Sequence, residues 1–520
     1  MNKNKTPVTL IIITTFFTHG LLLFNDGFYW DDWHVFSAVR KGWDYLYYNY
    51  YKEWGLGPIV YFDWTLYTIS DSLFIYKLVI FLSLMGSSVL VFELAKKSPL
   101  LTSLEALWIA LIFVSFTPVK SIPSSVSLIH YVFCVFLFFL ASLFAVHSNP
   151  KIMSLLPASK RYPRIILRLC ALILFSCSFV TYSLLVFYFG FLTYWFHLES
   201  AYHKNDFLNF RSVFSFLKPK WDFFLIPFAY WIIKIKYYAP DTEHADYNKF
   251  HLSPVSVLQN LLKHFYYAFF QEWDNSLIYV LRNPLVYLCL LMIFHFFIRR
   301  FTSGDDSRGD PPHESSKKVL LFGSLLFLMG SLPYALIGKS PVAEEFATRH
   351  ALLSSLPIAI LTVVAARFLP KKISQVSWIV LLIPLTGFCI MSNENYFIWQ
   401  ARSIKTHSVA RYLEKHPTFG VFSNYVVVDE FKIGEKYDET TQWMELFNKE
   451  WGEKTRTVRF LEGFSTDASN GEVVIRIYRA RYDNERYEVL KYLYFKLIQD
   501  PRLNPFLDNF TRVEINRLNS

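Results

Sequence analysis

Apolar runs long enough to cross a bilayer recur along this chain, and no other feature constrains its fold as tightly. In lipid every backbone N–H and C=O must find a partner inside the protein, which leaves helices or a closed barrel. Runs near the roughly 20 residues of a spanning helix select helices. The expected spans are Pro7–Phe24, Leu73–Leu94, Leu104–Phe116, Val126–Val146, Ile165–Phe179, Tyr182–Leu198, Trp221–Tyr237, Leu285–Ile298, Val319–Ile337, Ala351–Arg367 and Val376–Met391. That makes about 11 transmembrane helices. Of the 520 residues, 53% are hydrophobic and 18% charged, where a soluble domain carries about a quarter charged. The expected fold class is an all-α polytopic membrane protein with a small C-terminal α/β domain.

Loop charge sets the orientation. Lys96 and Lys97, Arg164 and Arg168, Lys218 and Lys220, Lys317 and Lys318, and Lys371 and Lys372 all fall on one side if the N-terminus is cytoplasmic. The net charge of +10 is therefore a topological signal and not one for nucleic acid. Cys134, Cys170, Cys177, Cys289 and Cys389 each lie inside an expected span, so no disulfide framework is expected. Lys3 and Lys5 precede the first apolar run, but no small-residue cleavage pattern follows it. That run reads as an uncleaved first helix. The segments 25–72, 239–283 and 338–349 and the whole C-terminus then lie outside.

The first outer loop, 25–72, opens with Asn25-Asp26-Gly27-Phe28-Tyr29-Trp30-Asp31-Asp32-Trp33-His34. Two adjacent carboxylates thus stand where a membrane helix leaves the bilayer. Charge so close to lipid is costly unless it faces water, a cation or a reaction. Such a pair suits general-base chemistry on a membrane-bound substrate. It equally suits a helix N-cap with Trp30 and Trp33 in the interfacial belt. The rest of this loop is aromatic and is expected to lie on the membrane surface as short amphipathic helices, as is 253–279.

Beyond Met391 the pattern changes. Arg402–Lys415, Thr440–Trp451 and Asn484–Gln499 read as helices. Tyr425–Val428, Val473–Tyr478 and Phe510–Ile515 read as strands. Residues 1–391 are expected to form the transmembrane domain and 392–520 an extracytoplasmic α/β domain.

An acidic pair in a long first outer loop, on a many-span scaffold with an extracytoplasmic C-terminal domain, resembles the GT-C superfamily of membrane glycosyltransferases. Protein mannosyltransferases and lipid A aminoarabinose transferases belong to it. The resemblance covers residues 1–391. It implies transfer of a sugar from a polyprenyl-phosphate carrier to an extracytoplasmic glycan, lipid or protein. Asp31 matches the leading acid and would take the proton of the acceptor hydroxyl. Asp32 matches its partner and would orient that hydroxyl or help hold a divalent cation, Mg or Mn. Two segments depart from the family pattern: Gly55-Leu56-Gly57-Pro58 lacks an Arg before Pro, and Thr181-Tyr182 is followed by Ser183 instead of Glu.

A lipid-phosphate leaving group needs cationic donors. Arg349-His350 is the leading candidate, because an Arg fork matches phosphate oxygens. Lys339 shares that loop. Lys234 and Lys236 lie near an outer helix end, where snorkelling alone would also explain them. His34 is a further candidate for phosphate or metal, and Trp30 and Trp33 for stacking on a sugar ring. Asp241, Glu243, His244 and Asp246 form a loose acidic cluster, more readily explained as a solvated loop. In-line displacement places base and phosphate clamp on opposite sides of the anomeric carbon. Asp31 and Arg349 are therefore expected to face one cavity. The expected partners are a polyprenyl-phosphate-linked sugar, an extracytoplasmic acceptor and the lipid bilayer. The absence of loop cysteines fits a bacterial inner membrane. The rivals are a flippase for lipid-linked sugars, a non-catalytic scaffold for cell-envelope assembly and a surface-polysaccharide polymerase or ligase.

Overall fold

The computed structural model describes residues 6–52, 55–70, 72–116, 125–149, 163–203, 210–239, 249–250, 253–302, 313–341, 346–369, 377–431, 433, 440–460, 472–479 and 485–517. Asp241, Glu243, His244 and Asp246 lie outside these residues. The described chain is a helical body with a four-stranded sheet near its C-terminus.

Among the described residues five helices are long and apolar enough to cross a membrane: Thr6–Phe24, Leu73–Ala95, Ile129–His147, Ser315–Leu336 and Ala347–Ala366. A sixth exists if Pro254–Arg282 and Pro284–Phe296, bent by 96°, act as one span. This is the signature of an integral membrane protein, and it corrects the expectation of about eleven spans. For three of the missing spans the physical reason is length. Ser103–Ser115, Arg164–Ser178 and Trp221–Tyr237 do fold as helices, but of 13, 15 and 17 residues. At 1.5 Å rise per residue these fall short of a hydrocarbon core of roughly 30 Å. The last expected span is the beginning of a 39-residue helix, Ser377–Lys415, that continues far past Met391.

Ion pairs secure one end of the helical body. Glu105 closes a capping box with Thr102 at the start of Ser103–Ser115. The same carboxylate takes two hydrogen bonds from Arg367, at 2.6 and 2.8 Å. Arg168 pairs with Asp222, and Lys220 with Glu199 at 2.9 Å. These cations come from the Lys/Arg-rich loops, so the pairs mark the side on which those loops gather. Further along the body, Ser377–Lys415 runs so close to Glu272–Arg282 that a Cβ at Gly387 would overlap Ser276.

The C-terminal sheet has the order β2-β1-β3-β4. Strands β1 (Asn424–Asp429), β2 (Thr457–Phe460) and β3 (Val473–Arg479) are parallel, and β4 (Thr511–Arg517) pairs antiparallel with β3. Helices 440–451 and 485–497 and the outer part of Ser377–Lys415 pack around it, with Val427, Ile475, Phe447 and Leu413 buried between the layers. Trp33 of the first outer loop belongs to this same core. One continuous helix thus joins the membrane body to the sheet, and the acidic loop is held between the two.

Candidate functional site

The chain leaves the first helix through a 3-10 turn, Gly20–Phe24, and enters helix Asp32–Arg40 one residue after Asp31. The corner between them is tight. Trp30 sits in the left-handed region at φ 48°, a conformation a non-glycine residue holds only when its surroundings impose it. Here the surroundings do so. The Trp30 ring lies 4.3 Å from that of Trp399, and Tyr29 Oη donates to the Trp399 carbonyl at 2.6 Å. Trp30 and Trp33 are both buried. They pack the loop against the C-terminal half.

Asp32 is fully buried. Its Oδ2 accepts from the Tyr29 N–H at 3.0 Å, and its Oδ1 accepts from Ser125 Oγ and the Ser127 N–H, both at 2.7 Å. The Asp32 N–H in turn donates to the Tyr29 carbonyl at 3.0 Å, which closes the corner. Lys77, buried in helix Leu73–Ala95, is within Coulombic reach and supplies a countercharge.

Asp31 differs. It is half-buried, and among the described residues no hydrogen bond reaches its carboxylate. Burial pushes this carboxyl above the ordinary 3.8; Arg349 opposes that push, Asp32 adds to it and His34 opposes it. Arg349 is also within reach of His130, Tyr334, Lys339 and His350. Asp31, His34, Arg349, Lys339 and His350 therefore share one electrostatic neighbourhood. Burial and the nearby Arg349 push the Lys339 ammonium down to about 7. His350 is buried, its ring 5.0 Å from that of Tyr334, and Tyr334 Oη lies 3.0 Å from Ser183 Oγ.

Lys234 and Lys236 stand apart from this group. Lys234 lies 3.6 Å from the centre of the Tyr182 ring, and exposed Lys236 covers Tyr237. Tyr182 also donates to the Gly55 carbonyl at 2.5 Å. The two segments that depart from the glycosyltransferase pattern thus touch each other.

Both oxygens of Asp32 already accept hydrogen bonds, and a hard divalent cation asks for about six oxygen ligands. Among the described residues no group of three or more His, Cys, Asp or Glu side chains could hold a metal ion.

Three further groups were not picked out from the sequence. Asp26 accepts from Gln400, Ser403 and Tyr492 at 2.8, 2.8 and 2.6 Å, and pairs with Lys496. Its own burial would raise its pKa, but His407 and Lys496 overcome this and hold it well below the usual range. Asp63, buried in helix Ile59–Ile69, accepts from Tyr51, and burial pushes it up to about 7. Lys77 carried the clearest signal, a lone cation near the start of an apolar run. Asp26 had only its place beside the Asp31-Asp32 motif.

No family model matches the chain, and neither a curated protein nor a solved structure resembles it.

Proposed function

We propose that this protein is an integral-membrane glycosyltransferase that moves a sugar from a polyprenyl-phosphate carrier to an extracytoplasmic acceptor. The observation that carries it is the contrast within the acidic pair. Asp32 is locked in place, while Asp31 stays half-buried, within Coulombic reach of Arg349 and, among the described residues, without hydrogen bonds to its carboxylate.

In this scheme Asp31 accepts the proton of the acceptor hydroxyl as that oxygen bonds to the anomeric carbon. The bond from that carbon to the carrier phosphate breaks, and the phosphate leaves with the electron pair. Arg349 and Lys339 stabilise the departing charge. Asp32, Ser125 and Ser127 are positioning residues that hold the corner on which Asp31 stands. The raised proton affinity of Asp31 makes it a better base than an exposed aspartate. A GT-C architecture, an N-terminus in the cytoplasm and a bacterial inner-membrane location complete the proposal.

The test compares wild type with Asp31→Asn in membranes supplied with candidate polyprenyl-phosphate sugars. Loss of transfer with the fold retained supports the scheme; unchanged transfer removes Asp31 as base.

A second reading, transport of lipid-linked sugars, draws on the 96° bend and on the fully buried Glu272. Discontinuous helices and intramembrane carboxylates are features of transporters. Carrier flipping in vesicles that survives Asp31→Asn but not Glu272→Gln would favour it.

A further inference from the structure

Helix Glu485–Leu497 is apolar on two opposite faces. One face, with Val489, Tyr492 and Phe495, is buried in the C-terminal domain. The other carries Tyr487, Leu490, Tyr494 and Leu497, with Ile498 just beyond, and these are 62, 52, 55, 73 and 49% exposed. The spacing of three and four residues makes this one continuous stripe. A soluble helix turns its polar side outward, so the stripe calls for a partner.

The depth of the helix identifies that partner. Along Ser377–Lys415, Asn393 donates to the Phe17 carbonyl at 2.7 Å, Tyr396 Oη lies 2.8 Å from His19 Nδ1, and Gln400 and Ser403 donate to Asp26. Residues 393–403 of the long helix are thus level with residues 17–26, the outer end of the first span. Helix Glu485–Leu497 stands beside this same stretch. Near its start Arg486 pairs with Glu394; towards its end Tyr492 and Lys496 bond Asp26. The stripe therefore lies at the depth where Phe17 and Phe24 of the first span are about half exposed on the lipid-facing surface. Tyrosines mixed with Arg486 and Lys491 are the side chains that suit a headgroup boundary, where rings bury and cations snorkel.

We infer that the stripe Tyr487–Ile498 is immersed in the interfacial layer of the bilayer on the Asp31 side, so that the C-terminal domain is seated in lipid. The occupant is a lipid surface, and the inference does not depend on the transferase reading.

The test uses the full chain in vesicles of phosphatidylethanolamine and phosphatidylglycerol. p-Benzoylphenylalanine replaces Leu490 or Leu497, or as a control Val421. Val421 is 67% exposed but follows the far end of the long helix, about 15–25 Å further out at 1.5 Å per residue. After irradiation, mass spectrometry should find lipid adducts at 490 and 497 severalfold above those at 421. Adducts no higher than the control, or cross-linked dimers showing that a second copy covers the stripe, overturn the inference. In a second variant Leu497→Asp, probed from position 490, should lower the lipid adduct severalfold, because a carboxylate is costly at that depth. An unchanged adduct overturns it.

Discussion

Asp26 and Asp31 lie five residues apart in one loop, and the molecule treats them in opposite ways. Asp26 is ringed by donors from two helices of the C-terminal half, and its charge is held stable to far below the ordinary pH range. Asp31 is half-buried and, among the described residues, without hydrogen bonds to its carboxylate, and its proton affinity is raised. A carboxylate saturated with donors holds structure together, because each bond lowers its basicity and fixes its position. A carboxylate that burial deprives of water gains basicity even with a guanidinium opposing the gain. Acidic residues close together in a sequence can thus separate into a clamp and a base.

The largest expected effect bears on the base. Asp31→Asn should lower sugar transfer by about a hundred- to ten-thousand-fold without moving the thermal midpoint in detergent. In the wild type, transfer should fall on the acid side through a pKa above 3.8. Next comes the clamp. Asp26→Ala should cost about 2–4 kcal/mol, since it strands the buried donors of Gln400, Ser403 and Tyr492. The depressed Asp26 pKa means its stabilisation is present above the unfolded-state value and lost as pH falls through the lower folded-state value. Wild type should therefore outlast the variant at pH 5 and lose that advantage only in strong acid.

Asp63 offers a third and smaller contrast. Its folded-state pKa of about 7 exceeds the ordinary 3.8, so its ionisation opposes folding as pH rises between those values. Asp63→Asn should be more stable relative to wild type at pH 8 than at pH 4, measured by thermal midpoints across pH. The smallest effect is expected from Arg486→Ala. Its side chain is 53% exposed, and such pairs contribute about 0.2–1 kcal/mol.

Much of the C-terminal half was legible in the sequence because its elements carry clean local patterns. The strands around Tyr425–Val428 and Val473–Tyr478 and the helix Thr440–Trp451 fall where β-branched runs and helical spacing put them. Strand β2 was missed because Thr457–Phe460 is four residues long with an Arg inside it. In the membrane half, apolar composition located helices but not their lengths, so short helices such as Ser103–Ser115 were counted as spans. The division of labour between Asp31 and Asp32 was not legible. It depends on Ser125 and Ser127, more than 90 residues downstream, and local spacing carries no record of so distant a partner. The burial of Trp30 and Trp33 was not legible for a similar reason, since Trp399 and the sheet core they pack against come much later in the chain.

The helix Ser377–Lys415 is about 58 Å of unbroken rod at 1.5 Å per residue. Its first part packs in the helical body, with Pro384 inside it, and its last part packs against the sheet. A fragment beginning at position 392 would start in mid-rod, and the socket filled by Trp33 would be left vacant. Neither half of this protein should therefore be purified alone and expected to behave. Tyr29 and Asp26 are bonded to residues 399–403 of this helix, so any shift of that stretch reaches the loop that carries Asp31.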